Sequence, residues 1–320
     1  MELSKIYEPI QEDLNKIKGE LESIGSVDFP WLAKQVSYVF KGGGKGMRPA
    51  LTLLSGKFYN YNLDYLLPMA VAVELMHTST LVHDDAIDKA LVRRGQPTIN
   101  KMWGDDIAIL LGDYLFAKAG EFVADTQNLR TIKLFSQTLR TISNGEINQY
   151  FSAFKLNQTR QHYVQRISGK TASLFSLATE SGAILSGAPQ ESTEVLKDYG
   201  YNLGIAFQIV DDVLDFISTK EKLGKPVGSD LAQGTLTLPA MLLMEHYPDD
   251  NPVKRFFESK DKKNIKLAIE QVRNSSVVQE AYSIAAEYCS LACQNLDSLP
   301  EHATRQALIE LADYVTSQNA

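Results

Sequence analysis

The 320-residue sequence predicts a single all-α domain. Three observations lead there. Apolar residues recur at steps of three and four along most of the chain, period-two alternation is nearly absent, and glycine and proline fall mostly between the periodic segments. No Ser/Gly-rich linker divides the chain, so the domain is expected to run over residues 1–320.

The elements follow in order. Over residues 1–25, Ile6, Ile10, Leu14, Ile17, Leu21 and Ile24 form one apolar stripe. This predicts an amphipathic N-terminal helix that packs on its own core or on a partner subunit. Asp28 precedes "FPWLAKQVSYVF", Pro49 opens "PALTLLSGKFY", and Asp64 precedes a long apolar helix. Further helices are expected over 105–127, 128–155, 159–186, 190–218, 235–247 and 275–297, with one more near the C-terminus. "YPDDNPVKRFFESKDKKN" is charge-rich and reads as an exposed surface excursion.

Composition excludes several classes. With 44% hydrophobic and 22% charged residues the chain can bury a large core. A net charge of −7 argues against a general nucleic-acid binder. The two cysteines, Cys289 and Cys293, lie four apart on an expected helix and read as small buried residues, which suits a reducing cytoplasm. The charged N-terminus has no continuous apolar segment, so no signal peptide and a cytoplasmic location are expected. The apolar run near 66–82 is broken by Pro68, Glu74 and His77, so no integral membrane segment is expected.

Two short stretches carry the chemistry. "LVHDDAID" and "QIVDDVLD" share one pattern, and each closes a long apolar helix. Positions i and i+4 share a helix face, so Asp84 and Asp88 point together, as do Asp211 and Asp215. Such like-charged pairs cost a helix roughly 0.2–0.5 kcal/mol, and more when desolvated. Repeating the cost points to cations. Carboxylate oxygen without cysteine or a histidine set suits Mg²⁺, which takes its remaining ligands from water and phosphate. A solvated acidic helix face is the bland alternative.

The positive charges fall beside glycines. "KGGGKGMRP" places Lys45 and Arg48 in a glycine-rich turn before a helix start, where backbone N–H groups can approach an anion. Alone, it reads slightly better as a surface turn. Arg93 and Arg94 can hold two different anions or simply neutralise Asp84 and Asp88. Lys170 with Thr171, and Lys225, add cations beside further glycines. Together these describe a site for a polyanion with an apolar body, such as a diphosphate on a hydrocarbon chain.

With "GGGKGMRP", "ELMHTSTLVHDDAIDKALVRRGQPT", "GDYLFA", "GEINQ", "GKTASLF", "FQIVDDVLDF" and "LGKPVGSDLAQGTLTLP" in this order, the chain resembles the trans-isoprenyl diphosphate synthases (polyprenyl synthetases) along nearly its whole length. The resemblance implies an isoprenoid synthase-type helical bundle around a deep central cavity, assembled as a homodimer. It implies that Asp84, Asp88, Asp211 and Asp215 hold Mg²⁺ on an allylic prenyl diphosphate, with Arg93, Lys170 and Lys225 contacting the same group. Lys45, Arg48, His77 and Arg94 would bind isopentenyl diphosphate. Thr171 and Gln208 would stand near the reacting carbons. Thr235 replaces a lysine common in shorter-chain members, which removes one auxiliary phosphate contact.

Product length is expected to depend on the helix turn before Asp84. Short-chain relatives carry a bulky aromatic there, whereas this chain has Ser79 and Thr80. Phe122 and Val123 would form a deeper floor, with Met76 narrowing the tunnel. A medium-to-long product of about six or more isoprene units is expected, since the first helical turn below the aspartates is open. A short-chain farnesyl or geranylgeranyl synthase is the nearest alternative. A terpene cyclase fits less well, because its second metal motif is usually an Asn/Ser/Glu pattern. A subunit active only in a heteromer also fits the resemblance.

Overall fold

A computed structural model describes residues 2–219, 223–224 and 226–317. The fold is all-α, as the sequence implies. Numbered in chain order, its helices are α1 Leu3–Ile6, α2 Gln11–Ser23, α3 Pro30–Lys41, α4 Met47–Gly56, α5 Leu63–Ile87, α6 Ile99–Trp103, α7 Asp105–Asp125, α8 Leu129–Ser152, α9 Arg160–Ile167, α10 Ser173–Leu185, α11 Gln190–Ile217, α12 Ser229–Ala232, α13 Leu238–His246, α14 Pro252–Ser259, α15 Lys263–Arg273, α16 Val277–Cys293 and α17 Ala303–Thr316.

Helix α5 is the spine. Its Asn62 cap accepts a hydrogen bond from the Asp64 backbone N–H at 3.0 Å, so the helix starts one residue before the expected Asp64. Leu66, Met69, Val71, Val73, Leu75 and Met76 are fully buried around its circumference. A helix apolar on all sides must be surrounded, and α5 packs against α4, α7, α10 and α2. By length and composition it could cross a membrane, but its apolar surface is spent inside the chain's own core. Helix α11 runs alongside α10 and α16 and carries the second acidic motif on its last turns.

Three local expectations change. The N-terminal stripe is turned inward: Ile6, Ile10, Ile17, Leu21 and Ile24 are buried in the core, and Pro9 splits the segment with a 3₁₀ turn at Glu8–Ile10. It is therefore a packing element of its own chain. The first acidic motif is followed by a small β-hairpin, Val92–Arg93 with Gln96–Pro97. Arg94 and Gly95 form its turn with φ of 50° and 75°, the positive values that a tight two-residue hairpin requires. Finally, the supposed surface excursion contains α14. Val253, Phe256 and Phe257 are buried there, and both rings pack on Phe154 at 5.6–6.0 Å. Its charges cover the other face of an amphipathic helix.

Phe256→Ala should therefore cost about 3–5 kcal/mol in urea unfolding. A change within about 0.5 kcal/mol would return this segment to the surface.

Candidate active site

The two acidic motifs end α5 and α11 and face one cleft. Asp88 sits in the electrostatic field of Asp84 and Lys170 from its own side and of Asp230, which follows the second motif. Lys45 and Arg48 feel Asp211 across the same space. Gly224 closes the cleft edge: a Cβ there would come within 2.3 Å of the Gly95 nitrogen. The loop after the second motif thus rests on the hairpin turn after the first.

The six motif aspartates divide. Asp85 is buried and paired with Arg93, whose Nε donates to its two oxygens at 2.8 and 3.0 Å while Nη2 lies 2.8 Å from Oδ1. Burial pushes its carboxyl up to about 6 even against that cation. Asp212 is also buried. It accepts from Gln208 Nε2 at 2.8 Å and from the Tyr163 hydroxyl at 2.7 Å. Burial, with Asp230 adding, pushes its carboxyl up, while the hydrogen bonds from Gln208 and Tyr163 favour its charged form. Asp215 departs from the expected metal ligand. It is 1% exposed, and its oxygens accept from Ser229 Oγ at 2.9 Å and the Asp230 backbone N–H at 3.2 Å, securing the start of α12. Asp84, Asp88 and Asp211 retain access to the cleft.

Lys170 bridges the acidic wall. Its Nζ lies 3.3 Å from Asp84 and 2.8 Å from Glu146, the second contact being a close ion pair off the ideal hydrogen-bond angle. Burial alone would lower its pKa, but Asp84 and Glu146 together raise it, so it is a fixed cation. Lys170 and Thr171 lie on a π-turn, Ser168–Ala172, between α9 and α10. Such turns are rare and gather at functional sites. Thr171 donates to Gln208 Oε1 at 2.6 Å. Lys225 lies outside the described residues.

A second cation group stands beside the first. Helix α4 begins at Met47, with Gly46 as its cap at φ 59°, so Arg48 is in its first turn rather than before it. Burial pushes Arg48 down to about 10, and it stays protonated at neutral pH. It lies over the Phe175 ring at 4.7 Å, and its buried Nε has no hydrogen-bond partner among the described residues. Arg94 reaches back from the hairpin, and its Nη1 donates to the Gly43 carbonyl. The Tyr7 hydroxyl donates to the Lys45 carbonyl at 3.2 Å. A cavity of about 410 Å³ opens here, with Lys45, His77, Arg93 and Arg94 at its polar side and Leu14, Leu81 and Phe40 among its apolar walls. Burial and the Arg48 and Arg94 charges hold His77 well below the ordinary imidazole range, so it meets a ligand as a neutral ring.

Cations gather both at the acidic wall and in the adjoining cavity, enough to hold more than one phosphate group. The sequence profile of the polyprenyl synthetase family matches residues 29–273. The chain belongs to the polyprenyl synthetase family. Heptaprenyl diphosphate synthase component 2 of Bacillus subtilis is 35% identical over 315 residues, covering 98% of this chain and 90% of that protein. The crystal structure of heptaprenyl diphosphate synthase from Staphylococcus aureus superposes with a TM-score of 0.93 at 36% identity, covering 97% of this chain and 99% of the other. A polyprenyl synthase from Caulobacter crescentus, solved with calcium and isoprenyl diphosphate, gives 0.95 at 31% identity, over 100% and 98% of the two chains.

Several residues of this polyprenyl synthetase escaped the sequence. Tyr163 reaches Asp212 across 49 residues, and Asp85 meets Arg93 only because the hairpin folds back. Glu146 lies within the quoted "GEINQ", yet its ion pair with Lys170 depends on α8 approaching the π-turn. Glu74 lines the cavity between Arg48 and Arg94, one helical turn before His77. Spacing could have found it, because Glu74, His77, Thr78 and Leu81 share a face of α5.

The chain-length residues also sort by face. Met76, Thr80 and Asp84 are separated by four residues each and share one face of α5. Ser79 is turned away: its hydroxyl donates to the Gly112 carbonyl at 2.7 Å across the α5–α7 seam, where the His83 ring fills the space beside Gly112. Val123 is buried and Phe122 half-buried on α7.

On lowering the pH through 6.5, the His77 ring should keep the NMR signature of neutral imidazole, assigned by its loss in His77→Gln. The unfolded chain protonates this ring where the folded one does not. Wild type should therefore lose more stability than His77→Gln as pH falls below 6.5. A midpoint at 6.5 or above would contradict the burial of this ring among arginines.

Proposed function

We infer that this protein condenses isopentenyl diphosphate head-to-tail with an allylic prenyl diphosphate, giving a trans-polyprenyl diphosphate of medium-to-long chain. The observation that carries the reading is a supply of cations beyond what one diphosphate needs. Lys170 stands by Asp84, while Arg93 and Arg94 line the adjoining cavity with Lys45 and neutral His77, close to Arg48. A cyclase, acting on one diphosphate, has no use for the excess.

The allylic diphosphate is proposed to lie against Asp84, Asp88 and Asp211. These offer only oxygen, and Asp88 has no hydrogen-bond partner among the described residues. Like charges at this spacing fit a hard divalent ion, and we propose Mg²⁺. Among the described residues no three ligand side chains form a ready cage, which agrees with an ion that takes much of its shell from phosphate and water. When bound, the metal neutralises charge developing on the leaving diphosphate. Lys170 adds a fixed positive charge to that leaving group, and Arg93, held by Asp85, presents its remaining donors to it. Arg48, Arg94 and Lys45 orient isopentenyl diphosphate, so that its terminal alkene meets the allylic carbon. Thr171 and Gln208 direct oxygen toward the cationic carbon. The apolar walls between helices keep water from it.

The tail is proposed to run past Thr80 and Met76, on the Asp84 face. Small Thr80 leaves that path open, and the heptaprenyl relatives support the medium-to-long class. A homodimer is proposed through α7 and α8, where Ile109, Leu110, Leu129 and Phe151 are 48–80% exposed and apolar side chains would otherwise face water. The Bacillus subtilis relative is named as a component, which keeps a heteromer as the second reading.

Purified chain, given isopentenyl diphosphate, an allylic primer and Mg²⁺, should make products of about six or more isoprene units, as an open first helical turn allows. Chelating divalent ions should abolish the activity, and added Mg²⁺ should restore it. A dominant farnesyl or geranylgeranyl product would overturn the length reading. A folded, inactive chain would favour the heteromer. Thr80→Phe should shorten the product by one or more units without unfolding the chain, because it points along the tail. An unchanged product spectrum would remove Thr80 from the tunnel.

A further inference from the structure

We propose that Tyr163 and Asp212 are positioning residues: they fix the hydrogen-bond polarity of Gln208 and Thr171, so that lone pairs rather than protons face the carbon that becomes cationic. The inference rests on the condensation reading and concerns how its cation is held.

The four side chains form one bonded row. The Tyr163 hydroxyl donates to Asp212 Oδ2 at 2.7 Å, Gln208 Nε2 donates to Asp212 Oδ1 at 2.8 Å, and Thr171 Oγ1 donates to Gln208 Oε1 at 2.6 Å. A glutamine amide has a donor end and an acceptor end of nearly equal shape. Only its partners decide which end faces where. Both Asp212 oxygens accept, one from the Tyr163 hydroxyl and one from Gln208 Nε2, so the group draws the NH₂ end of Gln208 and leaves the carbonyl end toward Thr171. Thr171 then spends its single proton on Gln208. Both oxygens keep lone pairs for the cleft.

The reversed row would be harmful. With the amide turned over, NH₂ would donate to Thr171, and the threonine proton would be free to point at the developing positive charge. The carbonyl would also face Asp212, oxygen against oxygen. Tyr163 guards against this by occupying the other carboxylate oxygen and stopping the group from rotating. The phenol is itself held: it is 1% exposed, and the Arg166 guanidinium lies 5.5 Å from its ring centroid while donating to the Leu236 carbonyl at 2.7 Å.

Neither residue is placed to touch substrate or metal. Asp212 is 3% exposed and uses both oxygens, whereas its neighbour Asp211 is open to the cleft. The first motif repeats the device, since Asp85 is likewise buried and spends both oxygens on Arg93. In each motif the middle aspartate aims a neighbour.

The test uses the full chain with Mg²⁺ and two prenyl diphosphate analogues. One carries an ammonium nitrogen in place of the allylic C3 carbon, and the other is its uncharged carbon isostere. The ratio of their affinities, read by calorimetry, reports stabilisation of the cation itself. Wild type should favour the ammonium compound. Asp212→Asn should cut that preference about tenfold, and Tyr163→Phe about threefold, sizes expected for one oriented dipole row. The affinity of the isostere and the Mg²⁺ dependence should stay unchanged.

Equal losses for both analogues, or a raised Mg²⁺ requirement in Asp212→Asn, would overturn the proposal by making Asp212 a metal or binding group. An unchanged ratio in both variants would overturn it too, as would a wild type without preference. Should Asp212→Asn fail to fold, the ratio in Tyr163→Phe decides. Wild-type elongation is measured alongside. Its absence would defeat the reaction assignment, whereas elongation with unaltered ratios would defeat this inference alone.

Discussion

Carboxylates crowded at the ends of two buried helices are the constraint on which this site depends. Asp85, Asp88 and Asp212 are pushed toward their neutral forms by burial and by neighbouring carboxylates. The chain resolves the conflict by assigning each aspartate a different partner. Asp85 takes Arg93, Asp212 takes Gln208 and Tyr163, and Asp215 takes Ser229 and a backbone N–H. Asp84 leans on Lys170, which Glu146 shares. Asp88 and Asp211 keep access to the cleft, where the metal–diphosphate complex is proposed to bind.

The surrounding fold serves that arrangement. Helix α5 carries several roles around its circumference: His77 shares the face of Asp84 and Asp88, Thr80 and Met76 lie beside it, and Ser79 and His83 meet the α7 seam. Buried on all sides, α5 cannot rotate to exchange them. The hairpin turn at Arg94–Gly95 accepts a non-glycine residue at positive φ, a conformation that costs energy and is often kept at functional sites. Here it sends Arg93 to the acidic wall and Arg94 to the glycine-rich loop. In the proposed reaction, these adjacent residues would serve two different diphosphates.

Much of this was legible in the sequence, and the limits have physical reasons. Helical period gave the elements, and the i, i+4 rule put Asp84 with Asp88. The same rule grouped Asp211 with Asp215, but it reports a face and not a depth. Asp215 is withdrawn from the cleft by the α12 start, which no local pattern announces. The middle aspartates had no role in the sequence, because Tyr163 and Arg93 reach them only through the tertiary fold. The hairpin is too short for an alternation signal, and its cue was the "RRG" turn. Charges in "YPDDNPVKRFFESKDKKN" masked Val253, Phe256 and Phe257, whose spacing is that of one buried helix face. The inward stripe of α2 was visible, but periodicity does not say what covers it.

The most direct test is a crystal structure of the protein with Mg²⁺, an unreactive allylic diphosphate analogue and isopentenyl diphosphate. The account predicts metal ions on Asp84, Asp88 and Asp211. Asp85, Asp212 and Asp215 should keep their protein partners, and the second diphosphate should lie on Lys45, Arg48 and Arg94. Metal coordination by the three buried aspartates, or a second diphosphate away from Lys45, Arg48 and Arg94, would contradict it.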